Sequence, residues 1–326
     1  MKGLRKDSAN WVDADERSVG QRIDNLLVRV LKGVPRSHLH RLVRTGQVRV
    51  NSRRVDSTYR IQAGDRIRIP PVRTGNEAPP PAPRAEVPSR LEARILFEDD
   101  ALLVLDKPAG VAVHGGSGVS RGVIEEMRLS RPTAKFLELV HRLDRETSGV
   151  LVLAKKRAAL VELHAAIREG RVRKFYRLLV LGRLPLGRRR VDAPLEKYLL
   201  PGGDRRVKVS ADGQSASTVF SVLQHRGNFT LVEAELITGR THQIRVHSGF
   251  LGHPIAGDDK YGDFAANREL VHQGLRRMFL HAATLAFDHP ITGKSLRFDA
   301  PLPEELAGFL DRLSATASAA VSNVKA

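Results

Sequence analysis

The sequence predicts an α+β chain in which a small basic α/β module precedes a larger domain built on a mixed, largely antiparallel sheet. Apolar residues recur at helical spacing near the start of the chain, and a proline-rich stretch follows. Beyond that stretch, segments with strand character outnumber helical segments and often follow one another directly. We place an N-terminal extension, the module, a linker, the larger domain and a flexible tail at 1–19, 20–73, 74–89, 90–314 and 315–326.

Two short amphipathic helices and a hairpin make up the predicted module. In 21–32, apolar residues fall at i, i+3, i+4, i+7 and i+8, which is one face of a helix. Pro35 can open a second helix, and Gly46 can end it. The short alternating runs 48–50 and 66–69 are bounded by turn-forming residues, so they predict a small hairpin.

Positive charge is concentrated in this module. Residues 21–73 carry 13 Lys or Arg against three Asp, a net charge of +10 out of the formal +18 of the whole chain. Such an excess favours a polyanionic partner, and nucleic acid fits better than an acidic membrane surface. A solvated charge run is the alternative interpretation. The expected RNA contacts are Arg36, His40, Arg41, Arg44 and Arg49.

Composition excludes several other classes of protein. No apolar run approaches the ~20 residues that a membrane span needs, and the first ten residues lack the apolar core of a signal peptide. The chain has no Cys, which excludes disulfides, a thiolate nucleophile and a Cys-ligated zinc finger. A protein without disulfides suits a reducing compartment. We therefore expect a cytoplasmic protein with no membrane partner.

The linker and the larger domain follow. Seven prolines between positions 70 and 88, with almost no large apolar residue among them, predict a semi-extended linker. Strands are expected at 95–97, 102–105, 136–140, 150–154, 175–181, 217–223 and 229–237. Helices are expected at 156–170, 241–251 and 303–313. The small polar residues that end the chain predict a frayed tail.

One acidic residue stands out in a polar turn between two apolar runs. Asp144 lies between Arg142 and Arg145. Loops at strand ends often carry reactive groups, and positive charge beside a carboxylate favours its ionised form. Asp144 is therefore a candidate nucleophile. On spacing alone, a salt-bridged surface turn is the commoner explanation for a single Asp.

A second segment, 238–247, contains two Arg and two His in what we interpret as one helical stretch. Arg245 is suited to pair with a carboxylate, and Arg240 or His242 with phosphate. A solvated basic helix start explains the same residues equally well. Tyr176 opens a strand, where its ring can face a base and its hydroxyl a proton. A Tyr on a half-buried strand is more often part of the core.

Neither a metal nor a cofactor is predicted. The His and Asp residues between 242 and 259 match no metal-ligand spacing, and the chain has no His-Glu-x-x-His. The glycine-rich loop 114–118 lacks the Lys-Ser or Lys-Thr ending of a nucleotide-binding P-loop.

Two long segments of the chain resemble the signatures of a known enzyme family. His-Arg-Leu-Asp-Arg-Glu-Thr-Ser-Gly at 141–149 resembles the active-site signature of the RluA family of pseudouridine synthases. The segment 238–247, with Gly-His-Pro-Ile at 252–255, resembles the family's second signature. Lys107-Pro108 and Lys174-Phe175-Tyr176 match shorter family motifs.

The same resemblance extends to the module. Residues 22–69 resemble the S4 RNA-binding domain, which family members of the RluC type carry ahead of the synthase domain. The run Ala-Val-His-Gly-Gly-Ser-Gly at 112–118 is also similar to that type. The resemblance covers roughly 20–313, so it accounts for nearly the whole chain.

The resemblance implies the pseudouridine synthase fold and the conversion of uridines to pseudouridine in large-subunit (23S) ribosomal RNA or its assembly intermediates. The reaction moves the uracil from an N–C to a C–C glycosidic bond without redox change, so a monomer without metal or cofactor is expected to suffice. Asp144, Arg245 and Tyr176 correspond to the family's catalytic Asp, its paired Arg and its active-site Tyr. Arg142 corresponds to the residue that takes the place of the flipped nucleotide. The expected substrate-binding residues are Arg142, Arg240, His242, Gln243 and Lys107.

Two other classes of function stay open on the sequence. One is a non-catalytic RNA-binding protein of ribosome assembly, and the other is a metal-dependent nuclease. The chemical path is also open, because the carboxylate can attack the base, attack the ribose or promote elimination to a glycal.

Overall fold

A computed structural model describes residues 8–16, 18–31, 34, 36–72, 90–115, 121–201 and 203–323. The chain forms two compact units, Met1–Arg84 and Ala85–Ala326. The predicted linker lies outside the described residues apart from its approach at 70–72, so its conformation and the exact domain limits stay predictions.

The first unit contains two helices and a three-stranded antiparallel sheet. The helices are α1 (Ile23–Val30) and α2 (Arg36–Arg44), and the strands are β1 (Asn10–Asp13), β2 (Arg49–Val50) and β3 (Arg66–Ile69). The strand order is β1-β3-β2, so the predicted hairpin pairing of β2 with β3 is confirmed. Strand β1 was missed, because a four-residue run with little alternation signals a strand only once its distant partner is known.

One core holds this unit together. Three apolar residues of α2 are buried, and they pack against α1 and the sheet. They are Leu39, Leu42 and Val43. Gly46 has a left-handed φ of +71° just after α2, as the end of a helix often requires.

The second unit is built on a ten-stranded sheet. Its helices are α3 (Val123–Leu129), α4 (Arg157–Arg168), α5 (Gln243–Phe250), α6 (Phe264–His272) and α7 (Glu304–Asn323). Its strands are β4 (Ile95–Glu98), β5 (Leu102–Lys107), β6 (Glu138–Leu139), β7 (Ser148–Ala154), β8 (Arg173–Leu181), β9 (Arg188–Asp192), β10 (Leu195–Leu199), β11 (Arg205–Val209), β12 (Ser217–Arg226), β13 (Phe229–Leu236), β14 (Leu280–Asp288) and β15 (Ser295–Asp299).

Strand pairing in this sheet is mixed and largely antiparallel, so the predicted fold class is confirmed. The order is β4-β5-β7-β14-β8-β13-β12-β9, with β6 also paired to β7 and β15 to β14. Strands β7 and β14 are parallel to each other, whereas the other neighbours in the sheet are antiparallel. A separate two-stranded sheet is formed by β10 and β11.

The sheet is buried on both faces. Alternate residues of β5 enter two different core clusters, with Leu103 and Leu105 in one and Leu102 and Val104 in the other. Helix α4 covers the second cluster. Double burial explains why β5 and β7 appear in the sequence as continuous apolar runs rather than as alternating ones. None of the helices in the described part of the chain is long and apolar enough to cross a membrane.

Several element predictions need correction. Of the expected strand 136–140, only Glu138–Leu139 pairs. The expected helix 241–251 begins at Gln243, because His242 has a left-handed φ of +54°. The last helix continues to Asn323 and so includes most of the segment that was predicted to be a frayed tail. The many Ala residues there favour helix. Strands β9, β10, β11, β14 and β15 and helices α3 and α6 were not predicted.

Gly149 permits the close parallel contact of β7 and β14. Its φ is +112°, and a Cβ there would lie 2.1 Å from the carbonyl oxygen of Ala282, the residue that pairs with it. Since two backbones meet at this point, no side chain can move aside to make room.

We expect Gly149→Ala to lower the free energy of unfolding by about 2–4 kcal/mol, because it adds a backbone clash to backbone strain. Gly170→Ala is the matched control: φ there is +74°, but open space surrounds the added carbon. It should cost only about 1–2 kcal/mol. Urea unfolding of both variants measures the difference, and equal losses would contradict the argument.

Candidate active site

Asp144 lies in the loop between β6 and β7 and is partly open to solvent, with 19% of its side chain exposed. Its Oδ2 is 3.3 Å from Nη1 of Arg245, and its Oδ1 is 3.9 Å from Nε2 of His242. The pairing of Asp144 with Arg245 that the family resemblance implied is therefore present. It joins residues 101 positions apart in the sequence.

The two arginines that flank Asp144 do not form ion pairs with it in the described structure. Arg142 is exposed, and Nε of Arg145 donates a hydrogen bond to the carbonyl of Gly110. Neither sequence neighbour therefore supplies the guanidinium that contacts the carboxylate. The guanidinium at Asp144 belongs to Arg245 instead.

Arg245 is held in place by a second carboxylate. Its side chain is 4% exposed, and it donates from Nε to Oδ2 of Asp258 at 2.8 Å and from Nη2 to Oδ1 at 2.7 Å. This two-point contact fixes the plane of the guanidinium. It leaves Nη1 to face Asp144, so the direction of the Asp144 contact is set by Asp258.

Asp258 is itself fixed on every side. It is fully buried, and its Oδ1 accepts backbone N–H groups from Lys260 and Tyr261. Burial alone would raise the pKa of Asp258, but the Arg245 guanidinium and the two N–H donors hold that pKa below its ordinary value. From its sequence position, Asp258 is recognised only as a candidate metal ligand. The sequence signal for its role as the partner of Arg245 was its position shortly after the second signature, because a buried Arg requires a negatively charged partner.

Tyr176 is a buried core residue, and its hydroxyl is affected by the charge of Asp144. It lies in β8 between Ala234 and Ala282 of the neighbouring strands, and it belongs to the main core cluster. Burial, and then the charge of Asp144, raise the pKa of its hydroxyl, which keeps the proton at neutral pH. The hydroxyl has no hydrogen-bond partner among the described residues.

The segment 238–242 is a turn rather than a helix, which corrects the single helical stretch expected from the sequence. Gln243 braces this turn: its Oε1 accepts from the Thr238 hydroxyl and from the Arg240 N–H. Its Nε2 donates to two oxygens at the start of β12. Because the amide is 2% exposed and fully used, the expected contact of Gln243 with substrate is not supported.

His242 ends the turn beside Asp144. Its Nδ1 is 2.7 Å from the hydroxyl of Tyr261, and the two rings meet edge to face. Burial lowers the pKa of His242, and Asp144 offsets part of that effect. Arg240 is exposed and donates from Nε to the carbonyl of Ser215.

Lys107 is not available to a substrate, contrary to our expectation. The side chain is fully buried, and its Nζ donates to the backbone carbonyls of Pro108, Val111 and Arg145. Burial, with the nearby Arg277 charge, lowers the pKa of Lys107 to about 7. The ammonium therefore ties the segment after β5 to the loop that carries Asp144, and its role is to position that loop.

The predicted RNA contacts of the first unit are exposed where described. His40, Arg41 and Arg44 project from α2 on the side opposite its buried residues, and Arg49 lies exposed in β2. None of the four has a carboxylate partner in the described part of the unit. The fifth contact, Arg36, has a side chain outside the described residues.

Within the described residues, no group of three or more His, Asp or Glu is arranged to hold a metal ion. The expectation of a metal-free site therefore stays a prediction.

Two family models match the chain. The model described as RNA pseudouridylate synthase matches residues 101–249, and the S4 domain model matches residues 21–67. The first range contains Asp144, Tyr176 and Arg245, and the second contains α1, α2, β2 and the first half of β3.

Named relatives match over almost their whole length. Ribosomal large subunit pseudouridine synthase C of Pasteurella multocida is 52% identical, over 91% of this chain and 92% of the relative. The protein of the same name from Escherichia coli K12 is 51% identical, over 93% of this chain and 95% of the relative.

Solved structures of pseudouridylate synthase domains are similar to this chain and support the predicted fold. Human RNA Pseudouridylate Synthase Domain Containing 4 is similar with a TM-score of 0.57 and 29% identity, over 68% of this chain and 94% of that one. Human RNA Pseudouridylate Synthase Domain Containing 1 is similar with a TM-score of 0.53 and 25% identity, over 67% of this chain and 93% of that one.

The burial of Lys107 predicts a pH dependence of stability. The folded chain releases the Lys107 proton near pH 7, whereas an unfolded chain keeps a Lys proton up to about pH 10.4. The unfolded chain thus binds more protons between these values, so the free energy of unfolding should rise with pH across that window. Below about pH 7 the buried Lys107 is protonated, so the full cost of burying its charge remains.

Lys107→Met removes this titration while keeping most of the side-chain volume. Denaturant unfolding at about pH 6 and about pH 9.5 should show wild type gaining stability relative to the Met variant as the pH rises. Parallel pH profiles for the two proteins would show that the Lys107 ammonium does not titrate in this range.

Proposed function

The chain belongs to the RNA pseudouridylate synthase family, and from that premise we propose that it converts uridines of large-subunit ribosomal RNA to pseudouridine with Asp144 as its nucleophile. The ribosomal substrate is proposed because near full-length relatives are named ribosomal large subunit pseudouridine synthase C. We also propose that the enzyme acts as a cytoplasmic monomer without metal or cofactor.

One observation carries the catalytic proposal: a partly open carboxylate, Asp144, faces a buried guanidinium whose orientation is fixed by another carboxylate. A preorganised charge of this kind stabilises an anion without having to reorient during the reaction. Part of the Asp144 side chain remains exposed to solvent, as a group that must meet a substrate requires.

The reaction needs little else from the protein. The N1–C1′ bond of uridine breaks, a C5–C1′ bond forms, the proton leaves C5, and N1 ends with a proton, so atoms and charge balance without a co-reactant. Attack on the base, attack on the ribose and elimination to a glycal all begin with the charged carboxylate of Asp144. The structural argument for Asp144 is therefore common to all three paths.

The target uridine must leave its stack to reach Asp144, at a cost of a few kcal/mol. Arg142 is exposed two residues before Asp144 and has no partner among the described residues, which suits the role of filling the vacated space. Tyr176 keeps its proton, so its ring is suited to lie against the extruded base while its hydroxyl donates a hydrogen bond.

The first unit is proposed to add RNA affinity through phosphate contacts. His40, Arg41, Arg44 and Arg49 form an exposed basic face without internal counter-charges. Phosphate contacts of this kind position a protein on RNA and make binding depend on salt.

The two other classes that the sequence left open account less well for the site. A non-catalytic RNA-binding protein has no need for a buried Arg245–Asp258 pair directed at an accessible carboxylate. For a metal-dependent nuclease, addition of a chelator should abolish activity and RNA cleavage should be seen, whereas a pseudouridine synthase should retain its activity.

We expect Asp144→Asn to reduce pseudouridine formation to below about a thousandth of the wild-type rate, since it removes the nucleophile. RNA affinity should change little, because phosphate contacts dominate it. Carbodiimide labelling followed by primer extension on ribosomal RNA measures the product, and a filter-binding assay measures affinity.

The exposed Asp212, outside the site, provides the matched control, since Asp212→Asn makes the same change of charge. It should modify RNA at the wild-type rate. Undiminished modification by Asp144→Asn would rule out the assignment of the nucleophile.

Replacing both Arg41 and Arg44 by Gln should weaken RNA binding and reduce the slope of log affinity against log salt by about 1–2. Arg66→Gln is the control within the same unit, because that guanidinium already faces Asp13 and lies over the Trp11 ring. A double variant with an unchanged slope would show that this face of α2 does not contact phosphate.

A further inference from the structure

A chain of three contacts leads from strand β11 to the reactive carboxylate. The backbone N–H of Val207 donates to the hydroxyl oxygen of Tyr261 at 2.9 Å, and that hydroxyl lies 2.7 Å from Nδ1 of His242. On the other side of the imidazole, Nε2 is 3.9 Å from Oδ1 of Asp144. Arg245 contacts the other oxygen of the same carboxylate.

Hydrogen-bond roles in this chain determine where the imidazole carries its proton. The Val207 N–H can only donate, so the Tyr261 oxygen is its acceptor. The Tyr261 O–H then has one acceptor among the described residues, which is Nδ1 of His242. With Nδ1 accepting, the proton of a neutral imidazole is on Nε2 and faces Asp144.

The opposite tautomer is disfavoured at both ends. If Nδ1 carried the proton, it would donate to a Tyr261 oxygen that already accepts from Val207, and the Tyr261 O–H would lose its acceptor. At the other end, the lone pair of Nε2 would face the negatively charged Asp144. Burial disfavours the doubly protonated form, because it lowers the pKa of His242.

We propose that Tyr261 and His242 are positioning residues for Asp144: the Nε2–H of His242 is presented to Oδ1, while Arg245 contacts Oδ2. This inference rests on the proposed function. At 3.9 Å the contact is longer than a hydrogen bond, and in substrate-free enzymes such contacts often tighten only when substrate binds. With both oxygens held, the carboxylate presents a fixed face to the uridine.

The backbone at His242 supports this geometry. His242 is one of the described non-glycine residues with a left-handed φ, +54°, and it immediately precedes α5. Non-glycine residues adopt that conformation at some energetic cost, and the surrounding structure must maintain it. Here Gln243 holds the preceding turn and Tyr261 holds the ring. The rigid turn therefore delivers the imidazole to Asp144.

Tyr261→Phe isolates the proposed role. It retains the ring that lies beneath the Arg245 and Arg206 guanidinium groups and removes only the hydroxyl. Since a small misplacement of a reacting group can cost on the order of 100-fold, kcat for pseudouridine formation should fall about 10- to 100-fold. KM for the RNA should change less than about twofold, because the hydroxyl acts through Asp144 rather than on RNA.

Two substitutions at His242 separate positioning from substrate binding. The kcat of the His242→Ala variant should fall by a similar or greater factor than that of Tyr261→Phe. His242→Gln should recover most of that loss, because the Gln amide nitrogen can reach the position of Nε2 as a donor. In the Gln background, Tyr261→Phe should cost nothing more, since no imidazole tautomer remains to be set.

Tyr198→Phe is the matched control, because that hydroxyl is part of an exposed side chain on the neighbouring β10. It should leave kcat and KM unchanged, and thermal melting of each variant checks folding. A Tyr261→Phe variant with wild-type kcat overturns the proposal. So does a His242→Gln variant no better than His242→Ala, or a loss that appears only in KM.

Nitrogen-15 NMR of the histidine rings tests the tautomer without using activity. The resonances of His242, identified by their absence in His242→Gln, should show the proton on Nε2 in wild type. A proton on Nδ1 overturns the inference even if the enzyme is active. If wild type forms no pseudouridine on ribosomal RNA, the proposed function fails and the inference fails with it. If wild type is active, a failure of the variants concerns the inference alone.

Discussion

The buried pair of Arg245 and Asp258 is the interaction on which the site depends. Taking two charges out of water costs several kcal/mol for each ion, and close two-point contact with additional hydrogen bonds must offset that cost. Here the offset comes from bonds at 2.7 and 2.8 Å and from two backbone N–H groups that hold Asp258. One Nη of Arg245 is left to face Asp144. A single guanidinium therefore joins a structural ion pair to a reactive one.

The sheet determines where that contact forms. Asp144 precedes β7, which runs parallel to β14 in an otherwise antiparallel sheet, and Gly149 allows the two backbones to approach. Tyr176 is delivered by β8 on the other side of β14. Lys107, at the end of β5, ties the Asp144 loop to the segment that follows β5. Three neighbouring regions of one sheet thus converge on one carboxylate, with little freedom left in the loop.

Much of this arrangement could be predicted from the sequence, and the reasons for the failures are physical. Strands β5, β7, β8 and β13 were predicted because apolar runs bounded by turn residues are local signals. Asp144 and Arg245 were separate candidates from their own segments, but their pairing was implied only by the family resemblance, since neither spacing nor composition brings together residues 101 positions apart. Lys107 and Gln243 were misassigned, because the sequence does not show whether a polar side chain spends its hydrogen bonds on the backbone or on a ligand.

Polar residues near Asp144 fall into two groups: those whose hydrogen bonds are made within the protein, and those that remain accessible. Lys107, Gln243 and Asp258 are buried, and the described structure uses their donors or acceptors internally. Asp144 keeps an accessible carboxylate, and Arg142 keeps an exposed guanidinium. A group whose hydrogen bonds are made within the protein would have to break them to bind a substrate, whereas an accessible group only exchanges water for the substrate. Residues that bind or react are therefore expected among the accessible members, while the buried members set their geometry.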